Sequence, residues 1–245
     1  MRGHFGRLAL VTGGGSGIGK AVCQALTREG AKVIVADKNY EAAKLTASEL
    51  GPESLALEVD VSSDQSVYKC LNDAIKNYKR SPQIVVNSAG IIRDAYLLKM
   101  TETEFDDVYK INLKGTFLIT QHFAKSMVEH KISGTIINIS SIVAKLNTVG
   151  QCNYAASKAG VASLTQVAAK EFGKFNIRVN AILPGYIETP MTENLPEDVK
   201  KIVKERCAMK RFGRPEEVAD VVAFLASEKS SYINGALIDV SGCLS

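Results

Sequence analysis

The 245-residue sequence predicts an α/β fold: one domain built on a doubly wound sheet of about seven parallel strands, with helices on both faces. Three observations lead there. Seven short runs rich in β-branched residues recur along the chain with helical stretches between them. The runs are continuously apolar instead of alternating, which marks strands covered on both faces, as parallel sheets are. The length suits a single α/β unit, and there is no repeat, low-complexity tract or linker-like shift in composition to divide it.

The first run, LALVT at 8–12, leads straight into TGGGSGIG at 12–19. Glycines there permit a tight turn and bring the backbone close to a pyrophosphate at the N-terminus of the following helix, where free amides and the dipole favour anions. The spacing G-x3-G-x-G differs from the commoner G-x-G-x-x-G. Candidate cofactor contacts in this loop are Gly13, Gly15, Ser16, Gly17, Ile18 and Gly19.

The second run, VIVAD at 33–37, ends on Asp37, 18 positions after Gly19. A carboxylate at that place accepts hydrogen bonds from a ribose 2′-hydroxyl and repels a 2′-phosphate, so NAD(H) is the expected cofactor. Lys38 beside it is a cation that could instead accept a phosphate. LALEVDV at 55–61 places Asp60 and Val61 at the end of the third strand. QIVVN at 83–87 runs into NSAG, where Asn87, Ala89 and Gly90 border the crevice beyond the strand ends. TIINIS at 135–140 is the fifth strand, closed by Ser141; IRVNAILP at 177–184 and ALIDV at 236–240 are the sixth and seventh.

Between the last two lies a polar, proline-punctuated insertion at 185–212, which reads as a lid over a site or as a surface excursion. Its basic side chains, Lys200, Lys201, Lys204, Arg206 and Lys210, would flank a channel if the substrate carried phosphate. YAASK at 154–158 places a phenol and an amine at i and i+4, on one face of a helix, 13 residues after Ser141. A phenol titrates at ~10, and a neighbouring ammonium assisted by a positively charged nicotinamide ring would bring it down towards neutrality.

Composition narrows the class further. The chain is 46% hydrophobic and 23% charged, ordinary for a globular protein. Thirty basic residues against 26 acidic ones give +4, too slight for nucleic acid, and no apolar run reaches the ~18 residues of a membrane span. Five cysteines without a CxxC pair argue against a disulfide framework or a metal site. The opening MRGHFGRLALVTGG reaches a strand by about residue 8, which leaves no room for a signal peptide; whether the start is a processed one stays open.

Across residues 7–242, through TGGGSGIG, NSAG, INLKGTF, INISSIV, YAASK and LPGYIETPM, the chain resembles a short-chain dehydrogenase/reductase of the single-domain Rossmann type. NLKGTFLITQ, NYAASKAGV and DVVAFLASE resemble the branch that holds 3-oxoacyl-[acyl-carrier-protein] reductases and a mitochondrial 17β-hydroxysteroid dehydrogenase. The resemblance implies that Tyr154 is the general acid/base, that Lys158 holds the nicotinamide ribose and lowers the phenol pKa, and that Ser141 hydrogen-bonds the substrate oxygen. It implies that Asn112 holds a water leading from Lys158 to solvent, and that Pro184, Gly185, Ile187 and Thr189 approach the nicotinamide. Ser140 adjoins Ser141, and Cys152 is a pocket wall or a reactive thiol.

Two departures are NSAG in place of NNAG and SGC at 241–243 in place of DGG. The implied substrates are (3R)-hydroxyacyl and 3-oxoacyl thioesters, with hydroxysteroids such as estradiol beside them. A second reading is a cofactor-binding structural subunit of a hetero-oligomeric reductase. Apolar faces on helices at 102–130 and 150–173 imply a homotetramer, or a heterotetramer with a related reductase, and the resemblance implies the mitochondrial matrix, with the cytoplasm as the alternative.

Overall fold

The structure is a computed structural model and describes His4 and residues 6–244. Most of the N-terminal leader read above, residues 1–3 and 5, lies outside the described residues. Strands β1 (Leu8–Thr12), β2 (Lys32–Asp37), β3 (Leu55–Glu58), β4 (Ile84–Asn87), β5 (Gly134–Ile139), β6 (Ile177–Pro184) and β7 (Leu237–Val240) form one sheet in the order β3-β2-β1-β4-β5-β6-β7, every pair parallel. Helices α1 (Gly17–Arg28), α2 (Tyr40–Leu50), α3 (Asp64–Tyr78), α4 (Glu102–Val108), α5 (Gly115–Glu129), α6 (Val143–Leu146), α7 (Cys152–Phe172), α8 (Pro190–Glu193), α9 (Glu197–Arg206) and α10 (Pro215–Ala226) connect them.

Alternation along β1 shows how the two layers are filled. Ala9 and Val11 join a core with α1, α2 and α10, whereas Leu8 and Leu10 join a core with α3, α5 and α7. Strand order reverses between β1 and β4, so the connections leave in opposite directions and a crevice opens beyond their carboxyl ends. Among the described residues no helix is long and apolar enough to cross a membrane, and all five cysteines are free thiols.

Three boundaries differ from the sequence reading. The third strand stops at Glu58, short of Asp60 and Val61, because the Asp60 amide donates to Ser66 Oγ (3.0 Å) and its carboxylate takes the Ser62 amide and hydroxyl, closing a turn where a ladder would continue. The fifth strand ends at Ile139, so Ser141 stands two positions beyond it. The long helix expected over 102–130 is interrupted by a six-residue π-helical turn, Tyr109–Lys114, that carries Asn112. Gly115 follows it because a Cβ there would stand 2.7 Å from Val61.

A chain of buried amides and hydroxyls crosses the sheet under the crevice. Asn87 Nδ2 donates to Thr120 Oγ1 (3.1 Å) and to Asn138 Oδ1 (2.8 Å), and Asn138 Nδ2 donates to Thr165 Oγ1 (2.9 Å). Asn87 and Asn138 are register partners on β4 and β5, so the pair ties the sheet to α5 and α7. Asn138→Leu is expected to lower unfolding stability by about 1–3 kcal/mol, since it strips partners from two buried groups. A urea midpoint equal to wild type would show that the network does not hold the sheet.

Candidate active site

The crevice has a volume of about 590 Å3, and the glycine turn after β1 forms one wall. Gly13 lies at φ +67°, and a Cβ on it would come within 2.9 Å of the Ala89 backbone; only glycine lets β1 and β4 release their chains this close together. A Cβ on Gly19 would stand 2.1 Å from the Gly13 carbonyl oxygen, so the first turn of α1 sits directly on the loop. That turn carries no acidic side chain, and Ser16 makes no side-chain cap to it, which suits its amides to an anion. Gly13, Ser16, Gly17, Ile18 and Gly19 all line the crevice.

Asp37 closes this end. Its carboxylate accepts from the Gly15 amide (3.0 Å) and the Asn39 amide (2.9 Å), which holds it at the rim. Gly15 therefore serves by positioning Asp37, and it stands behind the wall. Lys38 turns to Asp60 (2.8 Å), and this bond, with help from Ser62, holds the Asp60 carboxyl below the usual carboxylate range. Asp60 and Val61 do line the crevice, although from a turn and not from a strand.

The chemical cluster lies at the opposite end. Near the start of α7, Tyr154 and Lys158 share a face, with the Lys158 ammonium 5.6 Å from the centre of the Tyr154 ring. Lys158 is buried and its Nζ donates to the Ile139 carbonyl at 2.8 Å, while Ser140 Oγ donates to the Lys158 carbonyl (2.8 Å). Ser141, not Ser140, faces the phenol: it hydrogen-bonds Tyr154 and accepts the Val143 amide at 3.2 Å. Pro184, Gly185, Ile187 and Thr189 line the crevice beside them, with the Thr189 side chain opposite Gly17.

Burial decides the protonation of the pair. The half-buried Tyr154 phenol is pushed up to about 12, chiefly by burial and against the pull of the Ser141 hydrogen bond. Lys158 is pushed down to about 8 by burial. In the chain by itself the phenol thus lies above its ordinary value and not below it as the sequence reading expects, because burial disfavours the phenolate more than the Ser141 hydrogen bond favours it.

Some expected residues stand elsewhere. Asn87 is 3% exposed, belongs to the network beneath the crevice and does not line it; Ala89 and Gly90 of the same segment do. Asn112 is fully buried: Oδ1 accepts the Ile91 amide (2.9 Å), and Nδ2 donates to the Ile91 carbonyl (3.0 Å) and to Ser157 Oγ (3.2 Å). Its side chain thus clamps the loop after β4 to α7 and does not line the crevice. Cys152 is not a pocket wall either; its thiol lies 3.3 Å from Met100 Sδ.

The sequence reading missed Asp94, Gln151 and Tyr186. Gln151 Nε2 donates to Asp94 Oδ2 (2.9 Å), and Tyr186 packs on Phe212 with ring centres 5.7 Å apart. Their spacing did not mark them, since the pairs are 57 and 26 positions apart, although Tyr186 lies within LPGYIETPM and Gln151 stands two positions before NYAASKAGV.

A family model described as enoyl-(acyl carrier protein) reductase matches residues 13–245. The human (3R)-3-hydroxyacyl-CoA dehydrogenase is 49% identical over 248 residues, spanning 97% of this chain and 95% of that protein. The 3-oxoacyl-[acyl-carrier-protein] reductase of Thermotoga maritima is 43% identical over 244 residues, with 98% of each chain covered. A short-chain type dehydrogenase/reductase from Mycobacterium marinum superposes with a TM-score of 0.96 at 33% identity, over 100% of this chain and 97% of the other. The chain belongs to the short-chain dehydrogenase/reductase family. It is therefore an oxidoreductase of nicotinamide-dinucleotide type acting on CH–OH groups.

Lys158 also gives the reductase a pH signature. Its pKa is about 8 when folded and near 10.5 otherwise, so between those values the unfolded chain binds more protons and stability rises with pH; below about 8 the ammonium is charged in both states and its burial cost is fully present. Tyr154 acts in the opposite sense only above its ordinary value near 10. Melting temperatures at pH 7.5 and 9.5 should show wild type gaining about 2 kcal/mol, several degrees, relative to Lys158→Met. Parallel curves for the two proteins would refute the buried-ammonium assignment.

Proposed function

We propose that the protein is an NAD(H)-linked oxidoreductase that interconverts (3R)-3-hydroxyacyl and 3-oxoacyl thioesters. The observation that carries this is the Tyr154 phenol, hydrogen-bonded to Ser141 and beside the buried Lys158 amine, at the end of a crevice whose outer walls are apolar (Ile91, Ile92, Val143, Val149, Met191, Leu195). The two relatives described above, which act on 3-hydroxyacyl and 3-oxoacyl thioesters by name, support that substrate class.

The residues present fit the dinucleotide. A Cβ on Gly13 would fill the cradle against Ala89, Asp37 stands at the far rim, and a Cβ on Gly90 would come within 3.6 Å of Lys158 Nζ. Gly13, Gly17 and Gly19 would hold the pyrophosphate, Asp37 the adenosine ribose, and Lys158 and Thr189 the nicotinamide end. The bound cofactor supplies or accepts the hydride. Tyr154 gives its proton to the substrate oxygen during reduction and takes it back during oxidation; Ser141 orients that oxygen and stabilises its developing charge. The Asn112 side chain acts by clamping Ile91 to α7, a positioning role.

Cofactor choice follows from charge. Two charges ~4 Å apart at an effective dielectric near 20 repel by roughly 4 kcal/mol, so Asp37 disfavours a 2′-phosphate. Lys38, which could have offset this, faces Asp60.

The same apolar walls favour a second activity on hydroxysteroids such as estradiol, since a rigid apolar secondary alcohol needs the same Ser141 and Tyr154 contacts. The assembled cluster favours turnover over a purely structural subunit. Exposed Phe105, Tyr109, Phe117 and Val167 on α4, α5, α7 and the π turn support a homotetramer or a heterotetramer with a related reductase, which light scattering tests. The matrix of the mitochondrion is the proposed location, tested by cell fractionation.

Tyr154→Phe should lower kcat by well over tenfold, a barrier change above ~1.4 kcal/mol, while NADH binding by fluorescence is kept. Retention of a tenth of the wild-type rate would remove the acid/base role. Asp37→Ala should cut the kcat/KM preference for NADH over NADPH by at least about tenfold. A wild type that prefers NADPH, or a variant with unchanged preference, would show that Asp37 does not select the cofactor.

A further inference from the structure

The lysines of the lid do not flank the catalytic crevice. Leu195, just before α9, and Val199 within it turn inward to line the crevice, and Val203 one turn further is buried, so this face of α9 covers the site. Lys200, Lys201 and Lys204 leave from the rest of the helix and, with Glu197, Glu205 and Lys210, line a second concavity of about 360 Å3. Lys210 reaches it through a residue conformation that side chains rarely adopt, φ +56°, which folds the chain back so that Lys210 Nζ donates to the Glu205 carbonyl at 2.6 Å.

Four ammonium groups thus face two carboxylates in one hollow. Glu197 is taken by Lys200 (2.8 Å), and among the described residues no ion pair to a carboxylate holds Lys201, Lys204 or Lys210. Lys204 stands 5.7 Å over the Phe212 ring, which packs on Tyr186, a wall of the catalytic crevice. The hollow and the crevice are therefore the two sides of one thin layer, the outer side cationic and the inner side apolar.

The geometry points to a second subsite on the outer face of the lid that binds the phosphates of the adenosine 3′-phosphate 5′-diphosphate end of a coenzyme A thioester. This rests on the thioester reading above and names the carrier. The acyl chain occupies the apolar inner side, and the remote end that carries most of the substrate's charge meets the lysines on the outer side. Binding energy gained there strengthens capture of the substrate without touching the reacting atoms. A protein-borne phosphopantetheine has one phosphodiester and lacks the 3′-phosphate, so the two carriers are separable.

The test compares 3-oxobutyryl-CoA with the N-acetylcysteamine thioester of the same acyl group, which has no phosphate. Lys201→Gln/Lys204→Gln/Lys210→Gln should lower the ratio of kcat/KM for the CoA thioester over the cysteamine thioester by about tenfold, whereas the remote triple Lys44→Gln/Lys76→Gln/Lys170→Gln leaves the ratio at the wild-type value. The cysteamine thioester also reports whether the variant is folded. An unmoved ratio in the lid variant, or the same fall in both triples, overturns the proposal.

Failure of the thioester reading itself looks different: wild type would turn over neither substrate. The subsite is then read directly, by titrating adenosine 3′,5′-bisphosphate into enzyme saturated with NADH so that the dinucleotide crevice is filled. Binding weakened about tenfold in the lid triple supports the subsite; no binding to wild type removes it.

Discussion

A buried ammonium organises this molecule. Lys158 is 5% exposed, and an amine in that setting loses its hydration, a cost of several kcal/mol unless oxygen acceptors surround it. The Ile139 carbonyl at the end of β5 supplies one, and Ser140 anchors the backbone of Lys158 to the same strand end. Two residues on, Gly160 lets α7 press against Leu113, since a Cβ would stand 2.7 Å from that side chain. Strand, helix and π turn are thereby drawn to one point, and the Tyr154 phenol is set beside it.

The rest of the crevice answers to steric limits at the strand ends. The loops after β1 and β4 run so close together that a side chain at Gly13 would strike Ala89, and Thr12 Oγ1 accepts the Ser88 and Ala89 amides to hold them there. Beneath, Asn87 and Asn138 replace apolar packing with a hydrogen-bonded amide pair, which fixes β4 against β5 at the level where Ser141 departs. Serine in place of the second asparagine of the family motif leaves this pairing intact, because the amide that matters is Asn87. Charge is arranged at the far rim by pairing: Asp37 is held by two amides, and Lys38 is drawn off to Asp60.

The lid is tied at its stem and at its far end. Ile187 bridges Gly213, and the Gly213 amide donates to Tyr186, so the segment leaves and returns at one neck. The unusual SGC tail takes the far end: the Met209 and Ala208 amides donate to Gly242 and Cys243, and Cys207 pairs with Leu244. A helix restrained at both ends keeps its apolar face on the crevice and its lysines outside.

The parallel strands were legible because a sheet buried on both faces demands uninterrupted apolar runs, and six of the seven ended within a residue or two of their expected positions. The glycine turn and the i, i+4 pair Tyr154 and Lys158 were legible for a similar reason: each is a local geometry set by residues close together in the chain. What tertiary structure alone decided is everything that depends on which groups lose water together. Asn87 and Asn112 have side chains equally suited to ligand contact or to scaffolding, and packing turned both to scaffolding. The direction of the Tyr154 shift, the engagement of Lys38 by Asp60 and the two-sidedness of α9 follow from burial and from partners distant in the chain, and no spacing of residues along a sequence records those.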